Sequence, residues 1–177
     1  MIIKSNAITS WQDLQIKVCQ FFLEMCYSAD IEQNVSLANG GVAKVDVIVK
    51  DLHASLIKTY LIECKYWNKP IPREKVQSFK MDVYESGSNV GIFISKCGYQ
   101  AGAEMASRYS NVVLLDFEQL QRSYGDEWYR KRIKCFQGQY EFLNGIYINN
   151  MKEGGREKYI FDAFDEYSRA KEYGTNS

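Results

Sequence analysis

The stretch YLIECKYWNKP, Tyr60–Pro70, holds an acid and a base inside an otherwise apolar strand. Tyr60 to Lys65 reads as extended chain, closed by Pro70 and Pro72. Within it Glu63 and Lys65 flank Cys64. Side chains two apart on a strand point to one face, so the pair shares a surface. That surface is solvent, a salt bridge or a reactive site, and the neighbouring sequence decides between them.

Upstream, Val42–Lys50 (VAKVDVIVK) is a strand by composition. Alternation puts Val45, Val47 and Val49 on one face and Lys44, Asp46, Ile48 and Lys50 on the other. A short loop near His53 joins this strand to Leu56–Lys65, which favours an antiparallel hairpin. Paired about that loop, Asp46 falls close to Glu63. Two adjacent carboxylates repel unless a cation neutralises them. Magnesium and similar hard ions take oxygen ligands, often one or two carboxylates, and keep several waters. The backbone carbonyl of Cys64 offers a further oxygen. Lys65 then stands where it orients a water or offsets charge on a phosphate. An isolated Glu-x-Lys is ordinarily an exposed salt bridge; the Asp at hairpin distance is what favours the site.

The residues downstream of Lys65 point the same way. From Lys65 to Lys80 there are five basic residues, Lys65, Lys69, Arg73, Lys75 and Lys80, against the single acid Glu74, interleaved with Tyr66 and Trp67. A phosphate backbone favours such a surface; a solvated helix face is the plainer alternative for Arg73–Lys80. The cluster has to be local, because 22 Lys and Arg balance 22 Asp and Glu across the 177 residues. Net charge therefore gives no general case for nucleic acid. The opening MIIKSNAITSW has no long apolar run, so neither a signal peptide nor a membrane span is expected. Five cysteines without a C-x-x-C pair argue against zinc or a disulfide framework and for reduced thiols in a cytoplasmic setting.

Outward from the motif, helices are expected at Ile8–Tyr27, Arg73–Glu85, Tyr99–Tyr109 and Asp116–Ser123, and further strands at Asp30–Leu37, Val90–Ser95 and Asn111–Leu115. Two helices, Asp126 to about Met151 and Arg156 to about Tyr173, make up the tail. The order α-β-β-β-α-β-α-β-α predicts an α/β fold with a mixed sheet flanked by helices.

VDVIV, IECKYW, EKVQSF, GIFISKCGYQAGAEMA and NVVLLDFEQL, in that order and spacing, resemble the Mrr-like restriction endonuclease domain of the PD-(D/E)xK nuclease superfamily, over Trp11 to about Leu120. The resemblance implies a restriction-endonuclease-like mixed central sheet at 1–125; the helical extension at 126–177 lies beyond it and is expected to pack on the core or to serve association. It implies Mg2+- or Mn2+-dependent hydrolysis of phosphodiester bonds in DNA, in restriction or defence. Asp46 and Glu63 match the family's metal-binding acids and Lys65 its catalytic lysine. Many Mrr-like members carry Gln at the place of Glu63. The family also often has a Glu on the first helix, where WQDLQ places Gln15; Glu24 lies too far along the helix to take its position. Gln15, Gln77 and Ser95 are supporting candidates, and Lys69, Arg73, Lys75 and Lys80 candidate DNA contacts. A nuclease-fold DNA-binding subunit with weak or no catalysis is the alternative that Gln15 keeps open. With no separate reading module in the sequence, target choice would come from a partner protein, from DNA structure or from a homodimer.

Overall fold

The computed structural model describes residues 7–52 and 54–152, the last six by backbone alone. His53 and the expected helix at Arg156–Tyr173 lie outside the described residues. The chain divides into two units, Met1–Tyr129 and Arg130–Ser177.

The first unit is built on a five-stranded sheet in the order β1-β2-β3-β4-β5. β1 (Ser28–Ser36), β2 (Val42–Asp51) and β3 (Lys58–Lys65) run antiparallel. β4 (Val90–Ser95) and β5 (Val112–Leu115) continue parallel to β3. The switch follows from the connections: short links join the first three strands, whereas whole helices carry the chain from β3 to β4 and from β4 to β5. These helices are α2 (Arg73–Glu85) and α3 (Ala101–Ser107).

Both sheet faces are covered. α1 (Trp11–Leu23) turns Leu14, Val18, Cys19 and Phe22 onto one face, against Val47, Val49, Ile62, Cys64, Ile92 and Ile94. α4 (Phe117–Ser123) adds Phe117 and Leu120 to the same core. On the other face α2 contributes Val76, Phe79 and Val83, packed with Leu61, Phe93, Val112 and Ala103. β4 therefore reads VGIFIS because both of its faces are buried.

Local chemistry sets the helix ends. The Ser10 hydroxyl accepts from the Asp13 amide at 3.1 Å, and Asp13 accepts in turn from the Thr9 amide at 2.8 Å. Asp116 and Gln119 form a reciprocal capping box at α4, with bonds of 2.7 and 2.8 Å. α5 (Gly125–Lys152) is anchored within the first unit by its opening turn. Tyr27 donates to Glu127 at 2.7 Å and the Trp128 indole donates to Glu24 at 2.9 Å. In the second unit the described part of α5 carries exposed Ile133, Phe136, Tyr140, Phe142 and Leu143.

Two sequence expectations need correction. Strict alternation along β2 fails: Val47 and Val49 join the α1 core, but Val45 joins the α2 core beside Ile48. The break is at Asp46, opposite Glu32, which adopts φ +52° and drops out of the β1–β2 register. The first helix, expected to run from Ile8 to Tyr27, spans only Trp11–Leu23, and Cys26 beyond its end has φ +58°. Cys19, Cys64 and Cys97 are free thiols, as expected.

α2 packs tightly over the sheet at Gly91. A Cβ there would lie 2.6 Å from Val83 Cγ2 and 3.0 Å from both Phe79 Cε1 and Val112 Cγ2. Gly91→Ala is expected to destabilise the fold by about 1–3 kcal/mol through overpacking, seen as a lower midpoint in urea denaturation. A midpoint at or above that of the parent chain would show that α2 moves aside without cost.

Candidate active site

The site begins where β2 and β3 stop pairing. Their register runs from Asp51↔Lys58 to Val47↔Ile62 and goes no further. β3 continues on its other edge, beside β4, as far as Lys65↔Ser95. The amide of Cys64 is thus left without a strand partner on the β2 side. The Asp46 carboxylate takes that place: Cys64 N–H donates to Asp46 Oδ2 at 2.7 Å. Satisfying an orphaned backbone donor with a carboxylate gives a charge-assisted bond, stronger than the neutral ladder bond it replaces. In an extended strand the N–H and C=O of one residue point to the same edge, so the Cys64 carbonyl faces this opening too. From the α1 side, Gln15 Nε2 donates to Asp46 Oδ1 at 2.7 Å.

Glu63 and Lys65 project from β3 beside this carboxylate. Lys65 Nζ lies 3.5 Å from Asp46 Oδ2 and forms a direct ion pair with Glu63 Oε1. The three side chains are 19–23% exposed, so they sit at a shallow opening and not on the open surface. Burial pushes the Glu63 carboxyl above the usual range, the Asp46 charge adds to this, and Lys65 opposes it. Asp82 on α2 contributes in the same sense as Asp46. Burial alone would lower the Lys65 ammonium, but Glu63 and Asp46 outweigh it and raise it, so it stays charged at neutral pH. The pair of acids is therefore held together by a cation, here the ammonium of Lys65.

Two carboxylates and a strand carbonyl are hard oxygen donors, a set suited to Mg2+ or Mn2+ and too small to exclude water from the ion. Among the described residues no group of three or more His, Cys, Asp or Glu is placed to hold a metal ion, so the two acids would share it with backbone and water. A cleft of ≈ 480 Å³ along β5, lined by residues including Tyr99, Glu104, Val113 and Gln119, contains none of the three side chains.

The remaining candidates separate into three groups. Gln15 is buried and touches Asp46 directly. Lys69, Arg73, Lys75 and Gln77 are exposed, with Lys69 Nζ 5.8 Å from the Trp67 ring centroid. Lys96 stands 4.0 Å over the Tyr66 ring and donates to Asn68 at 2.8 Å, extending the basic and aromatic strip beside β3. Others are tied into the scaffold. Lys80 donates to the Ala106 carbonyl at 3.2 Å and links α2 to α3. The buried Ser95 hydroxyl donates to the Gly98 carbonyl at 3.0 Å and accepts from the Cys97 amide at 3.3 Å, which commits it to the turn. The Tyr99 hydroxyl donates towards the Phe93 and Leu115 carbonyls, at 2.5 and 2.9 Å. Glu24 accepts from Trp128 and takes no part in the Asp46 group. Asp82 carries no local signal in the sequence; only the packing of α2 brings its charge to bear on Glu63.

A family model described as "Restriction endonuclease" (Mrr_cat) matches residues 7–124. The structure resembles a solved protein of unknown function, AF1548, with a TM-score of 0.53 at 15% identity over 66% of this chain and 67% of that one. That likeness bears on the fold alone. A second solved chain, the DNA modification-dependent restriction endonuclease AspBHI, aligns with a TM-score of 0.38 at 16% identity, over 78% of this chain and 42% of its own length, and supports no structural argument. No curated protein matches. The family match spans the sheet, α1 to α4 and every side chain around Asp46, and by it the chain belongs to the restriction endonuclease family.

Proposed function

We propose that this protein is a divalent-metal-dependent endonuclease that hydrolyses phosphodiester bonds in DNA, working in restriction or defence against foreign DNA. The observation that carries the reading is the meeting of Asp46, Glu63 and Lys65 where β2 and β3 part, with both oxygens of Asp46 held by hydrogen bonds. Asp46, Glu63 and the Cys64 carbonyl are the residues that would hold Mg2+ or Mn2+. Bound there, the ion supplies an acidified water and positive charge beside the phosphate. The chain's own groups do the rest. Asp46, fixed on both oxygens, keeps its orientation. Lys65 exchanges its ion pair with Glu63 for the incoming phosphate or the attacking water, and donates to it. Lys69, Arg73 and Lys75, exposed along the segment after β3, grip the backbone of the nucleic acid.

A DNA-binding subunit without strong catalysis is the second reading, favoured by the neutral Gln15 on the first helix. Of the two uses expected for residues 126–177, packing on the core or association, we assign association, with a second copy or with a partner that supplies target choice. The exposed apolar residues Ile133, Phe136, Tyr140 and Leu143 on α5 support this assignment.

Asp46→Ala, Glu63→Ala and Lys65→Ala are each expected to leave the fold intact and to slow cleavage at least about 100-fold, measured on supercoiled and linear DNA with Mg2+ or Mn2+. Full activity in Lys65→Ala would overturn the assignment of Lys65. Absence of cleavage of any DNA form by the unaltered chain, with Mg2+ or Mn2+ present, would favour the binding subunit. Replacing Lys69, Arg73 and Lys75 together with Ala is expected to weaken DNA binding equally across sequences and to flatten its logarithmic salt dependence by about 3. An unchanged slope would place the nucleic acid elsewhere.

A further inference from the structure

Gln15 is 3% exposed, the most deeply buried polar side chain around Asp46. α1 puts it there because Leu14, Val18 and Phe22 bury the same helix face against β2 and β3. A carboxylate only accepts hydrogen bonds, so the amide nitrogen must face Asp46 and the orientation of Gln15 is fixed. Its Nε2 donates to Oδ1 while the Cys64 amide donates to Oδ2, both at 2.7 Å. Two donors on two oxygens stop the carboxylate from rotating. They also leave its remaining lone pairs to the side occupied by Glu63 and Lys65. The amide adds no charge: Asp46, Glu63 and Lys65 together carry a formal net of one negative charge, whereas a carboxylate in Gln15's place would press a third anion against Asp46.

We propose that Gln15 is a positioning residue that sets the affinity of the Asp46–Glu63 pair for a divalent cation, acting through Asp46 and not by ligating the ion. The inference rests on the metal-dependent reading above and names how that site is tuned. Removing a partner that orients a ligand typically weakens metal binding about 10- to 100-fold. Gln15→Met keeps the volume and the apolar contacts and deletes the donor. Gln15→Glu keeps the shape and adds a charge that faces Asp46.

The test is Mn2+ binding to the full chain, followed by the loss of the free-ion electron paramagnetic resonance signal, with thermal melting of the same samples. Gln15→Met is expected to melt cooperatively and bind Mn2+ about 10- to 100-fold more weakly than the unaltered chain. Gln15→Glu is expected to melt lower than the unaltered chain without metal and to gain more on adding Mn2+, because the ion relieves the new repulsion. Gln15→Met binding within twofold of the unaltered chain would overturn the proposal while leaving the metal site standing. Should Gln15→Met fail to fold, a Gln15→Glu melting shift equal to that of the unaltered chain would overturn it instead. If the unaltered chain binds no Mn2+, the metal site and this inference fall together; Asp46→Asn, expected to abolish binding, confirms which carboxylate is read.

Discussion

The Asp46 carboxylate is the point on which the arrangement depends. It occupies the gap left when β2 and β3 cease to pair, and it accepts from the Cys64 amide on one oxygen and from Gln15 on the other. A backbone donor abandoned at the end of a ladder is costly if left unpaired. Here the same carboxylate that removes that cost is delivered to Glu63 and Lys65. Structural satisfaction and the candidate site are therefore one feature. The irregularity at Glu32, with φ +52° opposite Asp46, is where β2 gives up strict alternation to make this geometry.

The electrostatics derive from this placement. Two acids about one-fifth exposed are neither fully solvated nor sealed, so their repulsion is felt and a cation is needed between them. Lys65 meets that need within the chain, and its ion pair with Glu63 keeps its charge despite burial. After β3, Tyr66, Trp67, Lys69 and Lys96 form a basic and aromatic strip, with Lys69 over Trp67 and Lys96 over Tyr66. The sheet beneath is stiff for a plain reason. β4 is buried on both faces, between the α1–α4 layer and the α2–α3 layer, so β3 has a fixed neighbour where it presents Glu63 and Lys65.

Much of this is legible in the chain. The α2 span can be read residue for residue, because Pro72 marks its start and Val76, Phe79 and Val83 mark its inner face. The doubly buried β4 and the antiparallel-then-parallel sheet also come from composition and connection length. The Asp46–Glu63–Lys65 convergence is readable from hairpin arithmetic, because an antiparallel pair fixes which residues meet. What is not readable depends on departures from regularity. Alternation assigns Val45 to the wrong core, since nothing local in the sequence announces the twist at Glu32. Ser95 and Lys80 stand out by position, yet tertiary hydrogen bonds to Gly98 and Ala106 occupy them. Gln15 stands out in the sequence only as a family residue replaced; its bond to Asp46 requires α1 to be laid across the sheet.

The most direct measurement is anomalous diffraction from crystals of the chain grown or soaked with Mn2+. One peak is expected within about 2.1–2.3 Å of an Asp46 oxygen, a Glu63 oxygen and the Cys64 carbonyl, with Lys65 drawn off its ion pair. A well-ordered lattice of the folded protein at millimolar Mn2+ with no peak there, and Lys65 still bridging the two acids, would contradict a shared cation at this site.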